Sequence, residues 1–186
     1  MWLSEAQDRF CELTGFWSDN STYTFVTVLG QQDYALNSRI IAVKSAWVGT
    51  QILTELSEDV IVDDLEFADT TTQTPSSYRL DLATGYITII EPVIAGVTIT
   101  LRVHRKSLIA LSSANGQPEI PEEFQLGLAE YAAYKAFGDH DQETQDPVKA
   151  ADHSKNFKQY VKDGSRAYRR ITGNYLNVVP NPLYVV

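Results

Sequence analysis

The sequence predicts an α+β protein. A helical core of an N-terminal helix and a C-terminal helical hairpin would hold an inserted antiparallel β meander, closed as a small sandwich or barrel. An extended C-terminal tail would follow. Three observations carry this. Residues 1–19 and 119–173 place apolar side chains at helical spacing, residues 20–118 run in short β-branched and aromatic segments, and residues 174–186 are apolar but broken by Pro180 and Pro182. These four stretches are the expected domains: first core helix, β-rich domain with linker, remaining core helices, and tail.

The first helix is expected over residues 4–14. Ser4 and Gln7 fit a capping box, Leu3, Ala6, Phe10 and Leu13 fall on one face, and Gly15 supplies the stop. The β region opens with "STYTFVTVL", followed by "RIIAVKSAWV" and "TQILTEL" around Gly49. "SYRLDLATGYITIIEPVIAGVTITLRVHRK" reads as three strands, with turns at Thr84-Gly85 and Pro92 to Gly96. After a linker at residues 107–119, Pro121 opens a helix with Glu122 and Glu123 in its first turn, and Gly138 closes it. Asp146 then caps a helix that starts at Pro147 and stops at Gly173-Asn174. Within it Ala150, Ser154, Phe157, Val161, Gly164, Tyr168 and Ile171 alternate steps of four and three, a heptad seam.

Composition narrows the function. With 186 residues, 44% apolar and 11% aromatic, the chain can bury a core without staples. A single cysteine, Cys11, allows no internal disulfide and fits a reducing compartment. "MWLSEAQDRF" is no signal peptide, and no run approaches a membrane span, so the expectation is a soluble protein made in the cytosol. A net charge of −9 argues against gripping nucleic-acid phosphates over the whole surface, whereas an acidic wall would let DNA pass without holding it.

Candidate chemistry centres on "FGDHDQETQDPVKAADH", residues 137–153, where carboxylates crowd around His140 and His153. As a calcium loop starting at Asp139 it puts Thr144 where glycine is needed and Ala150 where glutamate is needed. As a zinc site it lacks H-E-x-x-H spacing. The expected reading is a polar connector between two helices. The acid-rich "SEDVIVDDLEFAD" has no EF-hand spacing either, and reads as a solvated loop or charged edge. His104 sits on a strand among Arg102, Arg105 and Lys106, and Cys11 reads as a small core residue. There is no G-x-S-x-G, Walker loop or G-x-G-x-x-G, and no catalytic, metal or cofactor site is expected.

Two features exceed this background. Lys155, Lys158, Lys162, Arg166 and Arg169 recur at spacings of 3, 4, 4 and 3, one basic stripe in an acidic chain. It reads either as a solvated face or as a contact with DNA or with a neighbouring subunit, for which Glu119, Glu122, Glu123 and Glu130 are candidate partners. The tail supplies Tyr175, Leu176, Val178, Val179, Leu183, Tyr184, Val185 and Val186, a segment expected to bind a partner as an added strand.

The succession from "YRLDLATGYITIIEPVIAGVTITLRVHRKSL" through "IPEEFQLGLAEYAAYKAF" and an acidic turn to "DPVKAADHSKNFKQYVKDGSRAYRR" resembles the head–tail connector (adaptor, or neck) proteins of tailed bacteriophages. The resemblance spans roughly residues 78–170 and lies in the order of elements. It implies a non-enzymatic virion protein of the neck, assembled in the host cytoplasm as a dodecameric ring beneath the portal. Such a ring extends the DNA channel and docks the tail. The implied partners are other copies of the chain, the portal protein, a downstream tail, stopper or nozzle protein, and genomic DNA passing without sequence-specific binding. No membrane is involved. By the same resemblance the tail residues named above would enter the portal, and Ala129, Ala132, Ala133 and Ala136 would permit close helix packing.

Other readings stay open at this point. A β-sandwich carbohydrate-binding module would use Trp17, Trp47 and tyrosines as stacking platforms. A phage stopper or tail-terminating ring fits the same pattern. A hydrolase has no local motif to support it.

Overall fold

The computed structural model describes residues 2–57, 74–91, 94–111, 116–138 and 145–172. The chain divides into two compact units. One comprises Met1–Phe16 with Ile109–Val186, and the other Trp17–Leu108. Helix and strand thus segregate as α+β, with both ends of the chain in the helical unit.

Among the described residues three helices build the helical unit: α1 (Trp2–Thr14), α2 (Glu122–Gly138) and α3 (Pro147–Thr172). Local chemistry sets several ends. The Asp146 carboxylate accepts from the Lys149 amide at 3.1 Å, and Pro147 takes the first helical position, where no amide hydrogen is needed. Gly15 adopts φ 60° after α1 and donates its amide to the Cys11 carbonyl at 2.9 Å, which stops the helix.

At α1 the expectation needs correction. The helix already runs from Trp2, so Ser4 is inside it and caps nothing. Gln7 is fully buried instead. Its Nε2 donates to the Ile109 carbonyl at 3.0 Å, and its Oε1 accepts from the Glu119 amide at 2.9 Å. The buried face is Ala6, Gln7, Phe10, Cys11 and Thr14, while Leu3 and Leu13 are exposed. A buried glutamine shifts the apparent apolar stripe by one position.

Aromatic rings fill the centre of this unit. Phe10 lies 5.6 Å from Phe124, Phe16 lies 6.0 Å from Phe124 and 6.1 Å from Tyr168, and Tyr131 meets Phe157 edge-on at 4.9 Å. Each fully buried ring contributes about 1.5–3 kcal/mol. The heptad seam of α3 is the packed face: Ala150, Phe157 and Gly164 are buried, and Ser154, Val161 and Tyr168 half-buried. Ile171 has run off it into solvent. Two glycines let the helices approach. A Cβ on Gly127 would lie 2.8 Å from the Tyr160 Cβ, and one on Gly164 would lie 2.6 Å from the Phe10 Cζ.

Among the described residues the β unit holds eight strands: β1 (Ser18–Val26), β2 (Asp33–Ala35), β3 (Ile40–Val48), β4 (Gln51–Ile52), β5 (Thr54–Glu55), β6 (Ser77–Asp81), β7 (Tyr86–Ile89) and β8 (Thr98–Arg105). They form two four-stranded sheets, ordered β1-β8-β3-β4 and β2-β7-β6-β5. All the pairs are antiparallel except β5–β6. β8 is central, with Ile99, Leu101 and Val103 alternating inward. One apolar cluster joins these residues to Tyr34, Tyr78, Ile87 and Ile89 of the other sheet, which makes the unit a small sandwich.

"TQILTEL" is not one strand. Leu53, buried at its middle, donates its amide to Ala46 of the first sheet, and the next amide, Thr54, donates to Ser76 of the second. The chain changes sheets within two residues. β2 carries no sequence signal beyond Tyr34, because three residues paired to β7 are defined by their partner. The acid-rich segment at 58–73 lies outside the described residues, as do Pro92, residues 139–144 and everything after Thr172.

Candidate assembly surfaces

On α3 the seam faces α1 and α2, and the stripe lies on the other side. Lys155, Lys158, Lys162 and Arg166 are exposed and Arg169 is half-buried. Among the described residues no acid or hydrogen-bond partner holds Lys155, Lys158 or Lys162. Arg166 reaches Asp163 at 3.3 Å in an exposed pair one turn away, an interaction of little energetic weight.

The acids of α2 divide. Glu130 is engaged within its own chain. It accepts from Asn156 Nδ2 at 3.2 Å and lies 2.7 Å from His153 Nδ1. The His153 hydrogen bond holds the Glu130 carboxyl below its usual range, against a smaller upward push from burial. Glu130 is therefore withdrawn as a partner for the stripe. Glu119 donates its backbone amide to Gln7. Glu122 and Glu123 are exposed and carry no ion pair among the described residues.

The end of α2 packs against the start of α3. His153 stacks on Phe137 at 5.5 Å with the planes 4° apart, and Lys149 Nζ lies 5.3 Å from the other ring's centre, that of Phe137. His153 thus serves the α2–α3 hairpin. Asp139, His140, Asp141 and Glu143 lie outside the described residues. Among the described residues no three His, Cys, Asp or Glu side chains gather as a metal site.

In the β unit the ionisable groups are held by local partners. Burial pushes the Asp19 carboxyl up. The Thr22 and Ser21 amides, the Thr22 hydroxyl and Arg105 Nε at 3.0 Å outweigh it and bring it to about 2. Burial likewise opposes the Ser76 and Ser77 hydroxyls at Glu91, and the hydroxyls win, leaving that carboxyl lowered. His104 is lowered by burial first and by the charges of Lys44 and Arg102 second. An open groove of about 410 Å³ runs between β1 and the end of β2, lined by Tyr23, Phe25, Leu36, Ile40 and Leu101. Tyr23, Tyr34 and Tyr78 belong to the core, and Trp47 donates to Ser45 Oγ at 2.8 Å. The three tyrosines are packing residues, which weakens the carbohydrate-platform reading, and Trp47 is half-buried.

The family model for SU10 adaptor proteins matches residues 1–180. The chain belongs to the SU10 adaptor protein family. This is a family of phage head–tail adaptors, and membership implies a structural, non-enzymatic role. No curated protein matches the chain. Among the described residues of the adaptor no helix is long and apolar enough to cross a membrane.

The adaptor's spacing signals located the stripe and the seam. Its close helix approach came from Gly127 and Gly164, while Ala129 is exposed and Ala132, Ala133 and Ala136 are half-buried. Gly127 carried no signal, since a glycine inside a helix announces neither which neighbour it faces nor how near it lies.

Proposed function

We propose that the protein is an adaptor subunit of the phage neck, assembling as a dodecameric ring beneath the portal. The ring extends the DNA channel and receives the tail, or a stopper or nozzle protein, on its far side. The family match over residues 1–180 carries the reading. The surface chemistry supports it. An acidic chain of net charge −9 does not retain passing DNA, and the exposed Lys155, Lys158 and Lys162 of its cation row can meet a subunit or the channel. The C-terminal segment with Tyr175, Leu176, Val178, Val179, Leu183, Tyr184, Val185 and Val186 docks on the portal as added extended chain. Its two prolines suit an edge position and keep it out of helix.

Electron microscopy of the purified protein, alone and mixed with the portal of the same phage, tests the reading. A closed ring, or density added beneath the portal, is the expected result. Deleting Tyr175 to Val186 abolishes attachment and leaves the circular dichroism spectrum unchanged. Undiminished portal binding by that truncation would remove the role given to the tail.

A further inference from the structure

We propose that copies of this chain join through two different helix faces. The exposed α3 row of one copy lies across the outer face of α2 in the next. This rests on the adaptor reading and names the surfaces that reading leaves open.

The outer face of α2 is the side turned away from Phe124, Leu128 and Tyr131, which are buried. It presents Glu122, Leu126, Ala129 and Ala133, spaced four, three and four. Leu126 is 60% exposed and Ala129 is exposed. α2 is apolar on both sides, and among the described residues Leu126 and Ala129 on the outer side stay exposed while Ala133 is half-buried. At the head of this face stand Glu122 and Glu123, exposed and without an ion pair among the described residues.

α3 offers the complement. Lys155, Lys158 and Lys162 have no partner in their own chain among the described residues. Glu130 is committed to His153 and Asn156, and Asp163 to Gln159 and Arg166, while Asp152, three residues before Lys155, is exposed and makes no ion pair with it among the described residues. The row from Lys155 to Arg169 and the face from Glu122 to Ala136 each cover about 21 Å of helix. The lysine nearest the start of α2 reaches Glu122 and Glu123, while the stems of the others lie along Leu126, Ala129 and Ala133. The match of free cations with free acids selects a second copy over an anionic stranger. Because donor and acceptor faces differ, the contact repeats from copy to copy, and it closes a ring when the rotation between copies divides a full turn.

Charge reversal tests this. Glu122→Lys with Glu123→Lys makes one variant, and Lys158→Glu with Lys162→Glu makes the other. Light scattering after gel filtration reads the mass, circular dichroism checks the fold, and portal capture is scored separately. Each variant alone is expected to run as a monomer where the native chain runs as an oligomer, alone or on the portal. An equimolar mixture is expected to recover the oligomer, since alternating copies restore every contact. Oligomers unaffected by either reversal would overturn the proposal, as would a native chain that stays monomeric with and without portal. So would loss of duplex-DNA retention by the lysine variant with its mass unchanged, which would give the row to DNA. Oligomers that respond as expected but ignore the portal would keep the contact and remove the adaptor reading.

Discussion

Gly127→Ala is the sharpest test of the helical packing. The new Cβ would sit 2.8 Å from the Tyr160 Cβ and 3.0 Å from its Cγ, where ordinary contacts begin at 3.4 Å. Rotating the tyrosine does not help, because its Cβ moves only with the α3 backbone. The helices must part by several tenths of an ångström along the whole seam. Overpacking of this kind costs about 1–3 kcal/mol. Alanine returns about 1 kcal/mol of intrinsic helix propensity, so the net loss is about 1 kcal/mol. Gly138→Ala is the control, since a Cβ there meets nothing within 4 Å and brings only the propensity gain. Urea unfolding followed by ellipticity at the helix band reads both. With a slope of about 2 kcal/mol per molar urea, the Gly127 variant drops by roughly 0.5 M in midpoint while the Gly138 variant holds or rises. A Gly127→Ala midpoint at or above the control would refute the close approach.

Two further outcomes follow from buried polar groups. Gln7→Leu removes two buried hydrogen bonds, to the Ile109 carbonyl and from the Glu119 amide, at a cost of about 1–3 kcal/mol, and lowers the melting temperature of the helical unit. Asp19 has a folded pKa of about 2 against an ordinary value of 3.8, so its contribution is complete above the unfolded value and fades as pH falls toward 2. That contribution is about 2 kcal/mol for a carboxylate whose side chain is 10% exposed. Asp19→Asn flattens the acid limb of the β unit's stability between pH 4 and pH 2, read by near-ultraviolet circular dichroism. An unchanged acid limb would mean the Arg105 and Thr22 bonds are not formed in solution.

The parts of the fold legible in the sequence are those whose causes are local. Asp146-Pro147 starts a helix wherever it stands, Gly15 ends one, and the seam from Ala150 to Tyr168 is written in its spacing. The cation row was legible for the same reason. What stayed hidden depends on neighbours distant in the chain. β2 exists because β7 pairs with it, and Leu53 splits its run because Ala46 and Ser76 lie in different sheets. Ser4 and Gln7 matched a capping pattern, but the Gln7 amide has better partners more than a hundred residues away. Glu130 looked as available as Glu122 until His153 was brought against it. Local pattern thus found the surfaces, and tertiary contact decided which of their charges were left over.

The division of the chain also orders its birth. The eight strands of the described residues lie between Trp17 and Leu108, so the β unit has emerged from the ribosome before α2 exists. α1 is made first and waits longest, since Gln7 needs Glu119 and Glu5 needs Tyr131 and Lys135. At cellular synthesis rates that delay is on the order of 10 s. Throughout it Phe10 has no aromatic partner from α2, and a chaperone has its clearest target at the N-terminus. A prematurely terminated chain can therefore fold its sandwich yet never close its helical unit. Terminated before Glu122, such a chain carries neither α2 nor α3, so every surface those helices supply is withheld together from a truncated product.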